Sequence, residues 1–499
     1  MSSSWKSGRR TNWTRGALLI LAALSMAHVG SPDTFFAGMA GPYHVRVSVR
    51  LPGVIPGRAQ VAVHVAEATS PSDYHVTVRA GQWDVGLKGA PPPEPAAPVP
   101  GDATLYAAEL WFMRPTSYLL AVDVTGPSGP GSVSVPVVAL ATAERTMPPW
   151  LGTVLAALGL FLTAGLVTIV GTALRESGLP PGIEPDARRR RRGRIGIVVT
   201  AVVVGLLLWG GNVWWAAEAG SYSELVLYRP FKTEATVTAQ GGGAVLSLGI
   251  RDPRWNGTPN PLSRFNALLP DHGKLMHLFL VREPDLDGFA HLHPVARSAQ
   301  ALDFDTDLPS LPAGHYRVYG DIVHESGYPQ TLVSTVEIKD SGTGPLRDPD
   351  DSWFAAQAVA DAAEPAAALA DGTQVIWHRG NATFVAGREQ VLAFEVRDSA
   401  GQVAAVEPYM GMAAHVAVAS RDGAVFAHLH PAGSISMAAQ DKLSGAVAAA
   451  AHTGHEMPLE GAVAIPYAFP RPGPYRLWIQ IKRGGQVMTA AYDATVAAP

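Results

Sequence analysis

The chain has 499 residues, 38 Lys and Arg against 42 Asp and Glu, and a formal net charge of −4. That length suits three or four domains, and the near-neutral balance gives nucleic acid no electrostatic footing. There is no cysteine, so disulfides, iron–sulfur clusters and thiolate metal sites are excluded, and a soft-metal site must be built from His and Met.

Residues 1–27 read as an export signal. Lys6, Arg9, Arg10 and Arg15 form a basic region, Ala17 to Leu24 an apolar one, and Ser25-Met26-Ala27 a small-x-small cleavage site. An uncleaved anchor is the competing reading, although the apolar run is short for a full span. Cleavage after Ala27 would leave His28 at the mature N-terminus, where its amine and imidazole could grip one copper ion as a histidine brace. His44, His64 or His75 could add a third nitrogen.

Residues 28–148 are expected to form an extracytoplasmic β-sandwich. Runs such as His44-Val45-Arg46-Val47-Ser48-Val49-Arg50 and Val61-Ala62-Val63-His64-Val65 alternate in the strand manner. About seven such strands suggest an immunoglobulin-like sandwich. Two apolar stretches follow, 150–174 and 195–217, each about the 20 residues that a bilayer core requires. The segment between them, 175–194, carries Arg188 to Arg192 and Arg194. A basic run can bind nucleic acid, but one clamped between two spans reads as a cytoplasmic anchor. The flanking domains then both lie outside the inner membrane, as the export signal also implies.

Residues 222–340 and 372–497 are two copies of one strand-rich module, joined by a linker at 341–371 in which Ala355 to Ala370 could form a short helix. Phe289 to Pro294 and Phe426 to Pro431 both read FAHLHP. His277 stands beside His415 in this repeat, and His272 beside Met410. Residues two apart on a strand share a face, so His291 with His293, and His428 with His430, point the same way. A two-residue turn at Asp422-Gly423 sets His415 opposite His430. Imidazoles with the thioethers of Met410 and Met412 suit copper, and imidazole alone also suits zinc. The expected metal ligands are therefore His277, His291 and His293 in the first module, with His272 nearby, and His415, His428, His430, Met410 and Met412 in the second. Asp321 and His324 are either a harder ligand pair of the first site or structural. The second module also carries an insertion, Ala432 to Gly461, expected to be a mobile loop holding His452, His455 and Met457.

These features resemble the YtkA-like and FixH-like group of exported immunoglobulin-type domains. The export signal, His28 and the following β-sandwich are similar to CopC-type periplasmic copper-binding proteins, with the ligand match confined to His28. The resemblance implies copper binding or delivery at the outer face of a bacterial inner membrane, serving a respiratory oxidase or another copper-handling partner. The expectation is thus a mainly β chain of three immunoglobulin-like β-sandwich domains plus two transmembrane helices, anchored in the inner membrane and binding copper or zinc. A metal-free scaffold presenting tandem sandwiches to a partner is the alternative. No nucleophile elbow, HExxH or paired-carboxylate motif argues for an enzyme, which leaves copper oxidation at His28 or zinc hydrolysis as the minor alternative.

Overall fold

In the computed structural model, residues 33–256, 267–298, 302–339, 341, 346–444 and 461–499 are described. The export signal, His28 and the His452–Met457 cluster fall outside them. The chain divides into two units, Ala143–Leu227 and everything else.

The smaller unit is a pair of helices, α1 (Pro149–Glu176) and α2 (Ala187–Leu225). Both are long and apolar enough to cross a membrane. The basic run was expected in a loop, but it forms the first turns of α2. Asp186 caps that helix, its carboxylate accepting from Arg189 N–H at 2.7 Å, and arginine is a good helix former. At 39 residues α2 is about 58 Å long, nearly twice a bilayer core. The two helices approach closely at glycines. A Cβ on Gly171 would sit 2.5 Å from Ile197, and one on Gly193 would meet the Gly171 carbonyl at 2.9 Å.

Among the described residues, the larger unit is all sheet but for one helix and a few short turns. Its first body has eight strands: β1 (Thr34–Ala40), β2 (Tyr43–Arg50), β3 (Gly57–Val65), β4 (His75–Gln82), β5 (Glu94–Pro98), β6 (Leu105–Phe112), β7 (Ser117–Gly126) and β8 (Gly129–Val138). They form one hydrogen-bonded path in the order β1-β2-β3-β6-β5-β4-β7-β8. The Pro-rich stretch Ala90 to Pro100 supplies β5, which joins β4 to β6 and so links what would otherwise be two sheets.

The first repeat holds β9 (Thr233–Gln240), β10 (Gly243–Ile250), β11 (Leu268–Leu269), β12 (His277–Glu283), β13 (Gly288–Leu292), β14 (Val295–Ala296), β15 (Asp303–Asp307), β16 (Gly314–His324), β17 (Pro329–Ile338) and β18 (Ser352–Ala355). The second holds β19 (Ala366–Ala368), β20 (Gln374–Trp377), β21 (Phe384–Val385), β22 (Gln390–Arg397), β23 (His415–Ser420), β24 (Phe426–Leu429), β25 (Ala462–Tyr467), β26 (Gly473–Arg483) and β27 (Gln486–Ala497). Each has a four-stranded sheet and a larger one, and the larger ones repeat the order β16-β12-β13 as β26-β23-β24. The helix expected within Ala355 to Ala370 does not form. Its start is β18, which covers the edge of β13 with Ser352 opposite His291, and its end is β19. An open sheet edge gains ladder hydrogen bonds that outweigh alanine's modest helix preference.

The strands β12, β13 and β23 are buried on both faces. One face enters the repeat's own core, with Leu278, Leu280 and Ala290 in the first and Val416, Val418 and Leu429 in the second. The other face meets the opposite repeat. Phe279, Phe289 and Tyr319 pack there against Ala417, Phe426 and Trp478. Phe289 stacks on Trp478 with ring centroids 4.6 Å apart, and Tyr319 on Phe426 at 4.1 Å. The histidines lie on this shared face. The inter-repeat interface therefore builds the site as well as the fold.

The first part of the insertion is ordered. Ala432 accepts from Ala37 N–H at 3.0 Å and Ser434 N–H donates to Phe35 at 2.9 Å, which ties it to β1. Gly433 is required there, since its φ is +108° and a Cβ would strike the Phe35 carbonyl at 2.1 Å. A short helix, α3 (Met437–Ser444), follows. Gln440 donates to the Ser134 carbonyl at 2.7 Å, and Asp271 accepts from Ala438 N–H at 2.8 Å.

Truncating an inter-repeat anchor should cost as much as any core deletion. Phe426→Ala is expected to lower unfolding free energy by about 3–5 kcal/mol, read from urea titration of the full chain in detergent. A loss below about 1 kcal/mol would mean that the repeats do not depend on each other.

Candidate metal centre

The two repeats place equivalent residues in equivalent contacts. In the first hairpin Leu278 pairs with Leu292, and in the second Val416 pairs with Leu429. The second register is the one that the Asp422-Gly423 turn requires. Each hairpin is preceded by the same tight turn. His272 and Met410 both have positive φ, 51° and 49°, and each is followed by a glycine at φ 79°. Paired backbone bonds close these turns between Asp271 and Lys274, and between Tyr409 and Met412.

His277 Nδ1 lies 3.1 Å from His291 Nε2, and His415 Nδ1 lies 3.1 Å from His428 Nε2. The outer nitrogens repeat as well. His277 Nε2–H donates to the Asp271 carbonyl at 3.2 Å, and His415 Nε2–H to the Tyr409 carbonyl at 3.1 Å. The repeats also exchange partners. His291 Nδ1–H donates to Gln480 Oε1 of the second repeat at 2.8 Å. His428, its equivalent, has Nδ1 3.6 Å from Asp321 Oδ2 of the first. Asp321 and Gln480 are themselves equivalent, opposite His277 and His415 across their ladders.

Seven imidazoles thus form one continuous cluster. Ring centroids lie 5.3 Å apart for His277 and His428, and 5.3 Å for His272 and His415. Within it two groups gather nitrogens within 4.8 Å of one another: His277, His291 and His293, and His272, His415 and His430. The first is the expected set. In the second, His272 crosses from the other repeat and stands where His428 was expected, while His428 turns toward Asp321. Met410 and Met412 lie on the turn equivalent to that of His272.

The outer shell came from residues that the sequence did not mark. His293 Nδ1 donates to Asp351 Oδ1 at 2.9 Å, and the same oxygen accepts from His293 N–H at 2.8 Å. Gln480 is fixed by Ser352. Asp348 pairs with Lys274, and Asp350 with Lys482 at 2.8 Å. Asp348, Asp350, Asp351 and Ser352 all belong to the linker, whose run of acidic residues just before β18 was the available signal. His293, Asp348 and Asp351 also lie within ligating distance of one another, but Lys274 already neutralises Asp348 and Asp351 orients His293, so this group reads as support.

The tautomers follow from these partners. Each imidazole of the first group has an acceptor for its outer N–H: Asp271 O, Gln480 Oε1 and Asp351 Oδ1. The inner nitrogens, His277 Nδ1, His291 Nε2 and His293 Nε2, then carry the lone pairs: the first two stand 3.1 Å apart, and His293 Nε2 is buried with no hydrogen bond. In the second group His430 Nδ1–H donates to the Ile435 carbonyl at 3.2 Å and its Nε2 is likewise without a partner. Outer-shell acceptors that fix the ring and its tautomer are what metal-ligating histidines need. Three inner nitrogens at 2.0–2.1 Å from one ion stand roughly 3.4 Å apart.

Burial and the neighbouring imidazoles hold His277, His291, His415 and His428 well below the usual histidine range, and burial brings His430 to about 4. Burial raises Asp321 to about 7. His324 is structural. It stacks on Tyr328, lies against Trp255 and bonds Gln330 Oε1 at 3.1 Å. His44 pairs with Glu67 at 2.7 Å and His64 with Thr104 at 3.2 Å, so each already has a partner.

A family model described as a domain of unknown function (DUF8832) matches residues 256–340 and 367–498. It covers the first repeat after β10 and nearly all of the second, and it skips most of the linker. No curated protein matches the chain. Among solved structures, a tetra-tandem repeat in the extending region of a large adhesion protein is 8% identical, with a TM-score of 0.16, over 90% of this chain and 73% of that one. Salmonella alpha-2-macroglobulin reacted with methylamine is 11% identical, with a TM-score of 0.19, over 94% of this chain and 23% of that one. At such scores the likenesses carry no argument.

The depressed histidines make the metal-free protein acid-sensitive. Unfolded histidines take up protons below about pH 6.5 while the buried ones do not, so stability falls as pH drops through that value, by up to about 1.4 kcal/mol per pH unit per histidine. Asp321 opposes this between about pH 7 and 4, but it is one group against five. The urea midpoint of metal-free protein should fall steeply from pH 7 to pH 5. A flat profile would mean that the imidazoles are already charged or solvated.

Proposed function

We propose that this is a membrane-anchored, extracytoplasmic metal-binding protein that holds copper at the interface of its two repeats. The observation that carries the reading is the convergence of His277 Nδ1, His291 Nε2 and His293 Nε2, each with its outer nitrogen committed to an acceptor. Buried lone pairs aimed at one another repel unless a proton or cation lies between them. Burial disfavours a proton on His277 and His291, which leaves the cation. The second group, His272, His415 and His430, binds a second ion.

Copper fits the donors better than zinc. It stands above zinc in the affinity order for nitrogen ligands, and thioether is a copper donor, with Met410 and Met412 beside the second group's strand. A carrier that passes copper to a respiratory oxidase or another partner needs such mixed ligation. We read each repeat, and the eight-stranded body, as an immunoglobulin-like sandwich on the periplasmic side of a bacterial inner membrane. The helices α1 and α2 are the anchor, with the Arg188 to Arg192 run on the cytoplasmic side.

Full-length protein in detergent, loaded with copper and dialysed, should retain two ions per chain. His291→Ala with His415→Ala should retain essentially none, and His272→Ala should retain one. Copper at 1,000 times its dissociation constant should add about 4 kcal/mol of stability per site. Equal metal content in wild type and the double variant would remove the reading, and a stable preference for zinc in competition would change the metal.

A further inference from the structure

A cavity of about 400 Å³ lies between the eight-stranded body and the two repeats. Pro136 and Val138 of the first body line one side, and His277, Asp321, His428 and His430 line the other. His277 belongs to the first nitrogen group and His430 to the second, so a single chamber reaches both. Water occupies about 30 Å³ in the liquid, so the space holds about a dozen molecules. That is room for a divalent ion with its inner hydration shell, and more than a bare ion needs.

His428 stands outside both three-nitrogen groups. Its Nε2 touches His415 Nδ1 at 3.1 Å, and its Nδ1 faces Asp321 Oδ2 at 3.6 Å. Asp321 Oδ1 accepts from Thr331 Oγ1–H at 2.6 Å, which turns the other oxygen to His428. The Asp321 side chain keeps 23% of its surface although it sits inside the molecule, because it borders the chamber. Two other carboxylates border it too. Asp271 is bound to Ala438 N–H, and Asp33 to Leu51 N–H at 3.4 Å.

We propose that this chamber is the route by which a hydrated divalent cation reaches both nitrogen groups, with Asp321 and His428 as its first, transient ligands. The inference rests on the metal-binding reading. A carboxylate oxygen suits an ion still carrying water, whereas imidazole suits one that has lost it. Asp321 Oδ2 replaces one water, His428 a second, and the ion passes on to His430 and His415 or to His277. No group changes oxidation state, and the released waters leave through the chamber.

The test is stopped-flow uptake of copper(II) by metal-free, full-length protein. Asp321→Asn keeps an acceptor for Thr331 and removes the charge. It is expected to load at least about tenfold more slowly, within the range that electrostatic focusing contributes, while still retaining two ions per chain at equilibrium. Pro136→Trp, on the opposite wall, narrows the chamber and should also slow loading. Wild-type loading rates in both variants would overturn the proposal and leave the metal reading intact. Loss of one ion in Asp321→Asn would also overturn it, by making Asp321 a resident ligand. Wild-type protein that takes up no copper would sink the underlying reading instead.

Discussion

The structure depends on two β-hairpins packed face to face. Ordinarily a hairpin buries one face and wets the other. Here the second face of each finds the second face of its copy, and Phe279, Phe289, Tyr319, Phe426 and Trp478 fill the space between. Side chains alternate along a strand, so the residues in line with Phe279 and Phe289 must share their environment. Those residues are His277, His291 and His293. The apolar interface thereby draws polar rings out of water at its end, and that cluster is stable only if each ring nitrogen has a partner.

Some of the partners come from the opposite repeat. Gln480 reaches His291, Asp321 faces His428, and His272 joins His415 and His430. Each link bridges halves that are far apart in the chain. A change that loosens the aromatic interface therefore loosens the histidine cluster.

Much of this was legible in the sequence. The FAHLHP duplication, the register of the second hairpin and the pairing of His272 with Met410 all followed from spacing and turn chemistry, and the apolar helices from their length. What the sequence left open was which surfaces meet. His428 reads as a ligand because it repeats His291, yet the opposite repeat supplies His272 in its place and Asp321 draws it aside. The linker's Asp348 to Ser352 resembles solvated punctuation until β18 covers the edge of β13 and turns those residues toward the histidines. Local propensity misled at Ala355 to Ala370 for the same reason, since the need of an open edge for a partner is a tertiary fact.

The duplication is not perfect, and its departures fall at the site. Where the first repeat has Asp321, the second has Gln480. Where the first turn presents His272, the second presents Met410. A backbone two-fold with identical side chains would give two identical sites. These two exchanges place an acidic group beside His428 alone and an imidazole in one turn against a thioether in the other. On the copper reading, each group offers three imidazoles, and the thioethers of Met410 and Met412, in the turn before β23, set the surroundings of one group apart from the other. Unequal sites a few ångströms apart are better suited to passing an ion onward than to storing two alike, because transfer needs a gradient of affinity along the path.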